Sequence, residues 1–112
     1  MTPRRSAGRA AAVLALLAAI ACQPVVAACK TGFVPRLATP LDDVCVPPGT
    51  RARTVTENAR APLLWTPGVF GPKTCVQGYV WRAARPEDTV CVTGDVRTEA
   101  QVDNSLAPDR RQ

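Results

Sequence analysis

The sequence predicts a small, disulfide-stabilised α+β fold of two repeat units, each a short β-hairpin followed by a helix. Three observations predict it. The stretch from Cys29 to Asn58 recurs without a gap from Cys75 to Asn104, at a constant offset of 46 residues. Short runs rich in Val and aromatic residues accompany each cysteine pair, as strands require. A stretch free of Pro and Gly, with apolar residues four apart, then follows each second cysteine, as a helix requires.

The repeat is the organising signal. Laying 29–60 over 75–106 gives twelve identities in thirty-two positions, among them Cys29/Cys75, Gly32/Gly78, Arg36/Arg82, Pro40/Pro86, Asp42/Asp88, Cys45/Cys91 and Asn58/Asn104. Two cysteines, a glycine, a proline and an asparagine kept in one ungapped register mark a duplication.

Residues 1–28 read as a secretory signal peptide. Arg4, Arg5 and Arg9 precede the apolar run Ala11 to Ala21, Gln23-Pro24 breaks it, and Val26-Ala27-Ala28 sets small residues for cleavage after Ala28. The run is shorter than the ~20 residues of a spanning helix. Arg4-Arg5 is a weak twin-arginine signal. A lipoprotein is the alternative, with a lipid anchor at Cys22 after Ala19-Ile20-Ala21. Removing residues 1–28 leaves 84 residues, and the loss of three arginines and no acid takes the formal charge from +5 to +2. No face-sized basic cluster remains, so nucleic acid is not an expected partner. Nothing after the signal peptide calls for a membrane.

In unit 1 (29–61), Gly32 to Leu37 and Val44 to Pro47 are predicted strands around the Pro40 turn. Thr50 to Ala61 is a predicted helix with Thr50 as N-cap and Pro62 as its stop. Val55 and Ala59 form its apolar stripe. In unit 2 (75–106), Gly78 to Ala83 and Val90 to Thr93 are the strands. Asp95 to Leu106 is the helix, with Asp95 as N-cap, Pro108 as stop, and stripes of Val96 with Ala100 and Val102 with Leu106. The connector 62–74 carries three prolines and two glycines and is expected to be irregular. It is also apolar, so it should pack on the units. Residues 107–112 are expected to form a frayed tail.

Eighty-four residues make a small core that needs staples. Cys29, Cys45, Cys75 and Cys91 allow three pairings. The duplication favours Cys29–Cys45 with Cys75–Cys91, because a pairing that serves one unit serves the other. The chain contains no His and no Cys-x-x-Cys, which argues against zinc and against a redox pair. No cofactor is expected.

Arg36 with Asp42 and Arg82 with Asp88 should face each other across the hairpin turns as surface ion pairs; an anion-binding role for Arg36 and Arg82 is the functional alternative. Trp65, Tyr79 and Trp81 could form a sugar-binding platform, although burial is the commoner fate of aromatics in so small a domain. Glu57-Asn58 and Asp103-Asn104 could bind a ligand or simply bond nearby backbone. Ser105 is the only serine after the signal region and has no base in its sequence context. Acids show no paired spacing and phosphate loops are absent, so catalysis is not expected.

The run C-x-x-G-[FY]-V-W-R-x-A-x-P-x-D-x-V-C-V, followed by an Arg and an acid-Asn pair, resembles a tandem repeat of secreted bacterial proteins. The second copy matches from Gly71 to about Asn104. The first has Pro35 in place of the Trp, and Asp43 and Thr89 stand where that repeat often has His. The resemblance implies export and no particular activity. The expected function is therefore a non-enzymatic binding or structural module of the bacterial periplasm, envelope or exterior, with an extracytoplasmic enzyme or enzyme inhibitor as the alternative.

Overall fold

A computed structural model describes residues 28–112. Residues 1–27, which hold all of the expected signal peptide but Ala28 and include Cys22, lie outside the described residues. The described residues form a small mixed α/β structure with two helices, short antiparallel hairpins and two disulfides.

Strands β1 (Val34–Pro35) and β2 (Cys45–Val46) pair antiparallel, with Val34 opposite Val46 and Pro35 opposite Cys45. Helix α1 (Pro48–Arg60) follows and ends in a 3₁₀ turn, Ala61–Leu64. Strands β3 (Trp65–Gly68) and β4 (Gly71–Cys75) form a second hairpin. Then β5 (Val80–Trp81) pairs with β6 (Cys91–Val92), Val80 opposite Val92 and Trp81 opposite Cys91. Helix α2 (Gly94–Leu106) and a 3₁₀ turn, Ala107–Arg110, complete the chain.

The strands flanking the cysteines are shorter than expected. Leu37 and Ala83 take φ of 61° and 51°, and Gly32 and Gly78 take φ of 93° and 92°. These left-handed residues bend the backbone away at each end of the ladder, leaving two residues to pair. The helices start earlier than expected. Pro47 and Thr93 hold the N-cap positions instead of Thr50 and Asp95. Pro48 is favourable at the first helical position, where its missing N–H costs nothing. Pro62 and Pro108 fall just past the helix ends, within the 3₁₀ turns.

The helix faces also differ from the apolar stripes. Val55, Ala59, Val102 and Leu106 are exposed and Thr54 and Asp103 are buried, while the stripe of Val96 with Ala100 faces inward as expected. The reason is the composition of the interior. Its apolar members are small: Ala38, Ala61, Ala84, Ala100, Ala107, Val46, Val92 and the half-cystines Cys45 and Cys91. Arg36 and Arg82 are among its largest fully buried side chains. A helix facing such an interior presents Thr54, whose hydroxyl donates to the Thr50 carbonyl at 2.8 Å, and Asp103 rather than a bulky apolar ridge.

The connector is a hairpin and not an irregular segment. Trp65 faces Cys75 and Thr66 faces Thr74; a register shift follows at Pro67, and Gly68 faces Gly71. A bulge absorbs the proline that cannot donate to the ladder. Gly68 is required there, because a Cβ would lie 2.9 Å from Thr74 Cγ2. The Thr74 hydroxyl accepts from the Phe70 N–H at 3.1 Å and donates to the Gly71 carbonyl at 2.8 Å, which closes the turn.

The C-terminal segment is pinned, contrary to a frayed tail. Arg111 forms an antiparallel bridge with Cys29, and Gln112 N–H donates to the Ala28 carbonyl at 3.0 Å. Lys30 N–H donates to Arg110 O at 2.8 Å, matching Val76 N–H to Leu64 O at 2.9 Å one offset of 46 away. Arg111 thus holds at Cys29 the place that Trp65 holds at Cys75.

The disulfides join Cys29 to Cys45 and Cys75 to Cys91, with Cα separations of 5.6 and 5.7 Å. Such bonds persist in oxidising compartments outside the cytoplasm. Among the described residues no helix is long and apolar enough to cross a membrane.

Candidate functional site

Arg36 and Arg82 are core residues, 2% and 1% exposed, and not members of surface ion pairs. Arg36 Nε donates to Asp42 Oδ2 at 2.8 Å and Arg82 Nε to Asp88 Oδ2 at 2.7 Å. Each carboxylate also accepts two backbone N–H groups, from Ala38 and Val44 at Asp42 and from Ala84 and Val90 at Asp88. A buried guanidinium is stable only when its donors are used. Here an asparagine from the opposite half takes a further donor of each. Arg36 Nη1 donates to Asn104 Oδ1 and Arg82 Nη2 to Asn58 Oδ1, both at 2.9 Å. The same asparagines donate to carbonyls of their own halves, Asn58 to Leu37 O and Asn104 to Ala84 O, both at 2.9 Å. These residues join the halves, use every guanidinium nitrogen of Arg36 and leave Arg82 Nη1 alone without a hydrogen-bond partner.

Burial by itself would raise the Asp42 carboxyl, but the hydrogen bonds from Arg36 and Ala38 and the Arg36 charge outweigh it and hold the group below its usual value. Burial drives Glu57 the other way, above its usual value, against the charges of Arg53 and Arg82. Glu57 Oε1 lies 3.5 Å from Arg82 Nη1, a loose ion pair in which neither atom has a hydrogen-bond partner. Arg53 on α1 meets Glu99 on α2 at 3.1 Å, two positions that also differ by 46.

Tyr79 and Trp81 lie together at the surface, but Trp65 is apart from them. An open groove of about 410 Å³ is lined by Phe70, Thr74, Cys75, Tyr79, Val80, Trp81 and Arg97. Phe70 and Trp81 pack with ring centroids 5.8 Å apart and planes tilted by 58°. Trp81 Nε1 donates to the Lys73 carbonyl at 2.8 Å, so the indole offers the groove its ring and no free donor. Trp81 is half-buried and Tyr79 exposed, so neither is the core aromatic that the size of the domain favours. Trp65 instead donates to Thr89 O at 2.8 Å and lines a seam of about 580 Å³ between the halves. Arg111 lines the counterpart seam of about 540 Å³ and pairs with Asp43, the position matching Thr89. The groove, unlike the seams, presents exposed aromatic residues, Phe70 and Tyr79, and is therefore the better candidate site.

Sequence reasoning missed Phe70 and Arg97 as groove residues. A signal was present for the first: Pro67-Gly68-Val69-Phe70-Gly71-Pro72 sets two apolar residues between matched breakers. Arg97 carried none beyond its identity with Arg51.

No family model, no curated protein and no solved structure matches the chain.

Proposed function

We propose that the protein is an exported, non-enzymatic binding module of the bacterial envelope, secreted or periplasmic, built by duplication of a hairpin-helix unit and presenting one ligand face. The carrying observation is the division of labour among its residues. Of the polar residues shared by the two copies, Arg36/Arg82, Asp42/Asp88 and Asn58/Asn104 bond inside the fold, with the asparagines tying the halves together, and Arg97, the counterpart of Arg51, faces the groove. The aromatic groove belongs to the second half and to the joining hairpin, and the first half has Pro35 at the position of the groove residue Trp81. Duplication supplies the scaffold, and divergence of one copy supplies the face.

Retention of the oxidised mature protein on envelope fractions tests the reading. Binding without turnover supports it. Turnover of a hydrolase substrate panel, or stoichiometric inhibition of an extracytoplasmic enzyme without envelope binding, would replace it.

A further inference from the structure

We propose that the groove and the β3–β4 tip dock on an anionic lipid surface. Val69 and Phe70 enter the headgroup boundary, while Arg97 and Lys73 meet the headgroups. This rests on the envelope-binding reading and names its partner.

Three observations carry it. First, Val69 and Phe70 are 91% and 71% exposed at the end of a stiff hairpin. Pro67 and Pro72 bracket the tip, and Thr74 fastens its turn. The apolar pair is therefore presented with little ordering left to lose on binding. Tyr79, Val80 and Trp81 extend the same surface along the groove, and aromatic residues suit the boundary between water and acyl chains.

Second, the groove's polar atoms are mostly spent inside the protein. The Trp81 N–H is bonded to Lys73 O and the Thr74 hydroxyl to Gly71 O. A lipid boundary accepts such a face, since no donor is stranded on desolvation. A polysaccharide would be read through hydrogen bonds, and the groove retains only the Tyr79 hydroxyl and Arg97 for that.

Third, the charge is one-sided. From Asn58 to Pro86 the chain has no Asp or Glu, and no carboxylate lines the groove. Among the described residues neither Arg97 nor Lys73 forms an ion pair; Lys73 Nζ sits 4.7 Å from the centroid of the Trp65 ring. Cations beside exposed apolar residues are the two components of attachment to anionic lipid.

The test is co-sedimentation of the oxidised mature protein with vesicles of phosphatidylglycerol and phosphatidylethanolamine, with phosphatidylcholine vesicles and with lipid-free cell-wall sacculi in parallel. We expect retention on the anionic vesicles and binding about tenfold weaker or worse on phosphatidylcholine. The double variant Val69→Ser/Phe70→Ser should lose about tenfold or more, with its melting curve unchanged. Arg97→Gln should lose about fivefold on anionic vesicles. Equal binding by the tip variant and the parent overturns the proposal. Retention on sacculi without vesicle binding assigns the groove to a wall polymer: the lipid partner falls and envelope binding stands. Retention on neither overturns both.

Discussion

Asn104 on α2 accepts a hydrogen bond from Arg36, sixty-eight residues earlier, at 2.9 Å, and Asn58 accepts one from Arg82 at the same distance. The pattern, in which each half lends the other an asparagine, is that of a two-fold interface inside one chain, where one residue contacts a second and the second's equivalent contacts the first's. Asn58→Ala and Asn104→Ala each strip an acceptor from a buried guanidinium and a donor from a carbonyl. Each should cost about 1–3 kcal/mol in denaturant unfolding, and the two costs should be similar. A variant that costs nothing would mean that the halves are held by other contacts.

The ion pairs behind the asparagines should be more sensitive. Asp42→Asn keeps the shape and removes the charge facing Arg36, which is 2% exposed. Breaking one side of a buried pair costs about 3–5 kcal/mol. Asp88→Asn should cost a comparable amount, since Asp88 accepts the equivalent four hydrogen bonds, from Arg82, Ala84 and Val90, in its own half. Losses below about 1 kcal/mol would place these pairs in the weak surface class.

This burial marks the limit of what the sequence made legible. The hairpin-helix order, the proline stops and the cysteine pairing follow from local signals and from the repeat. That Arg36 lies six residues from Asp42 says that they can meet, not whether water meets them too. Their burial depends on Asn104, whose approach is a property of the packed halves. Two of the three apolar stripes, Val55 with Ala59 and Val102 with Leu106, failed for a related reason: apolar spacing finds the inward face reliably only when the interior is filled by large apolar groups, and here it is filled by alanines and guanidinium groups. The connector failed because prolines mask a strand when a bulge accommodates them. One signal was readable and passed over. Ala61-Pro62 and Ala107-Pro108 continue the identity at the same offset beyond residue 60, and they form the paired 3₁₀ turns that lead to Trp65 and Arg111.

Two carboxyls should pull stability in opposite directions with pH. Asp42 has a lowered pKa in the fold. Its contribution is complete above the unfolded value of about 3.9 and is lost as pH falls through the folded one, so stability should fall as the pH drops below about 4. Glu57 is raised, so the fold favours its protonated form, and that contribution is lost as pH rises through the folded value. At neutral pH the ionised group opposes folding, and Glu57→Gln should raise Tm at pH 7, with a gain that shrinks towards pH 4. A lower Tm at pH 7 would show that the charges of Arg53 and Arg82 outweigh burial.

Reduction should unfold the protein, or nearly so, at 37 °C. Each disulfide closes a loop of about 15 residues, worth ~3 kcal/mol in the chain-entropy view, and the interior it supports contains few large apolar side chains. Circular dichroism with and without reductant reads this directly. Cleavage at Arg51, Arg53 or Arg60 without reductant should separate peptides of the two halves by mass, and peptides still joined across the cut would contradict the pairing of Cys29 with Cys45.

The C-terminal arginines allow the sharpest comparison, because they are adjacent in sequence and differ in burial. Arg110 donates to Asp103 at 2.9 Å and to the Cys45 carbonyl at 3.1 Å, and lies over the Phe33 ring at 5.1 Å. Asp103 is buried at 5% exposure and is partnered through Oδ1 alone, with Oδ2 unsatisfied. Arg110→Ala would leave that carboxylate buried without its counter-charge, at a cost of about 3–5 kcal/mol. Arg111 pairs with Asp43 through two bonds of 3.0 and 3.1 Å, but its side chain is 33% exposed and that of Asp43 is 45% exposed. Solvent screens that pair, so Arg111→Ala should cost no more than about 1 kcal/mol. Equilibrium unfolding of the two single variants decides the matter. If Arg111→Ala is the more damaging, the Arg111–Asp43 pair holds the C-terminus, and the buried Asp103–Arg110 pair is secondary.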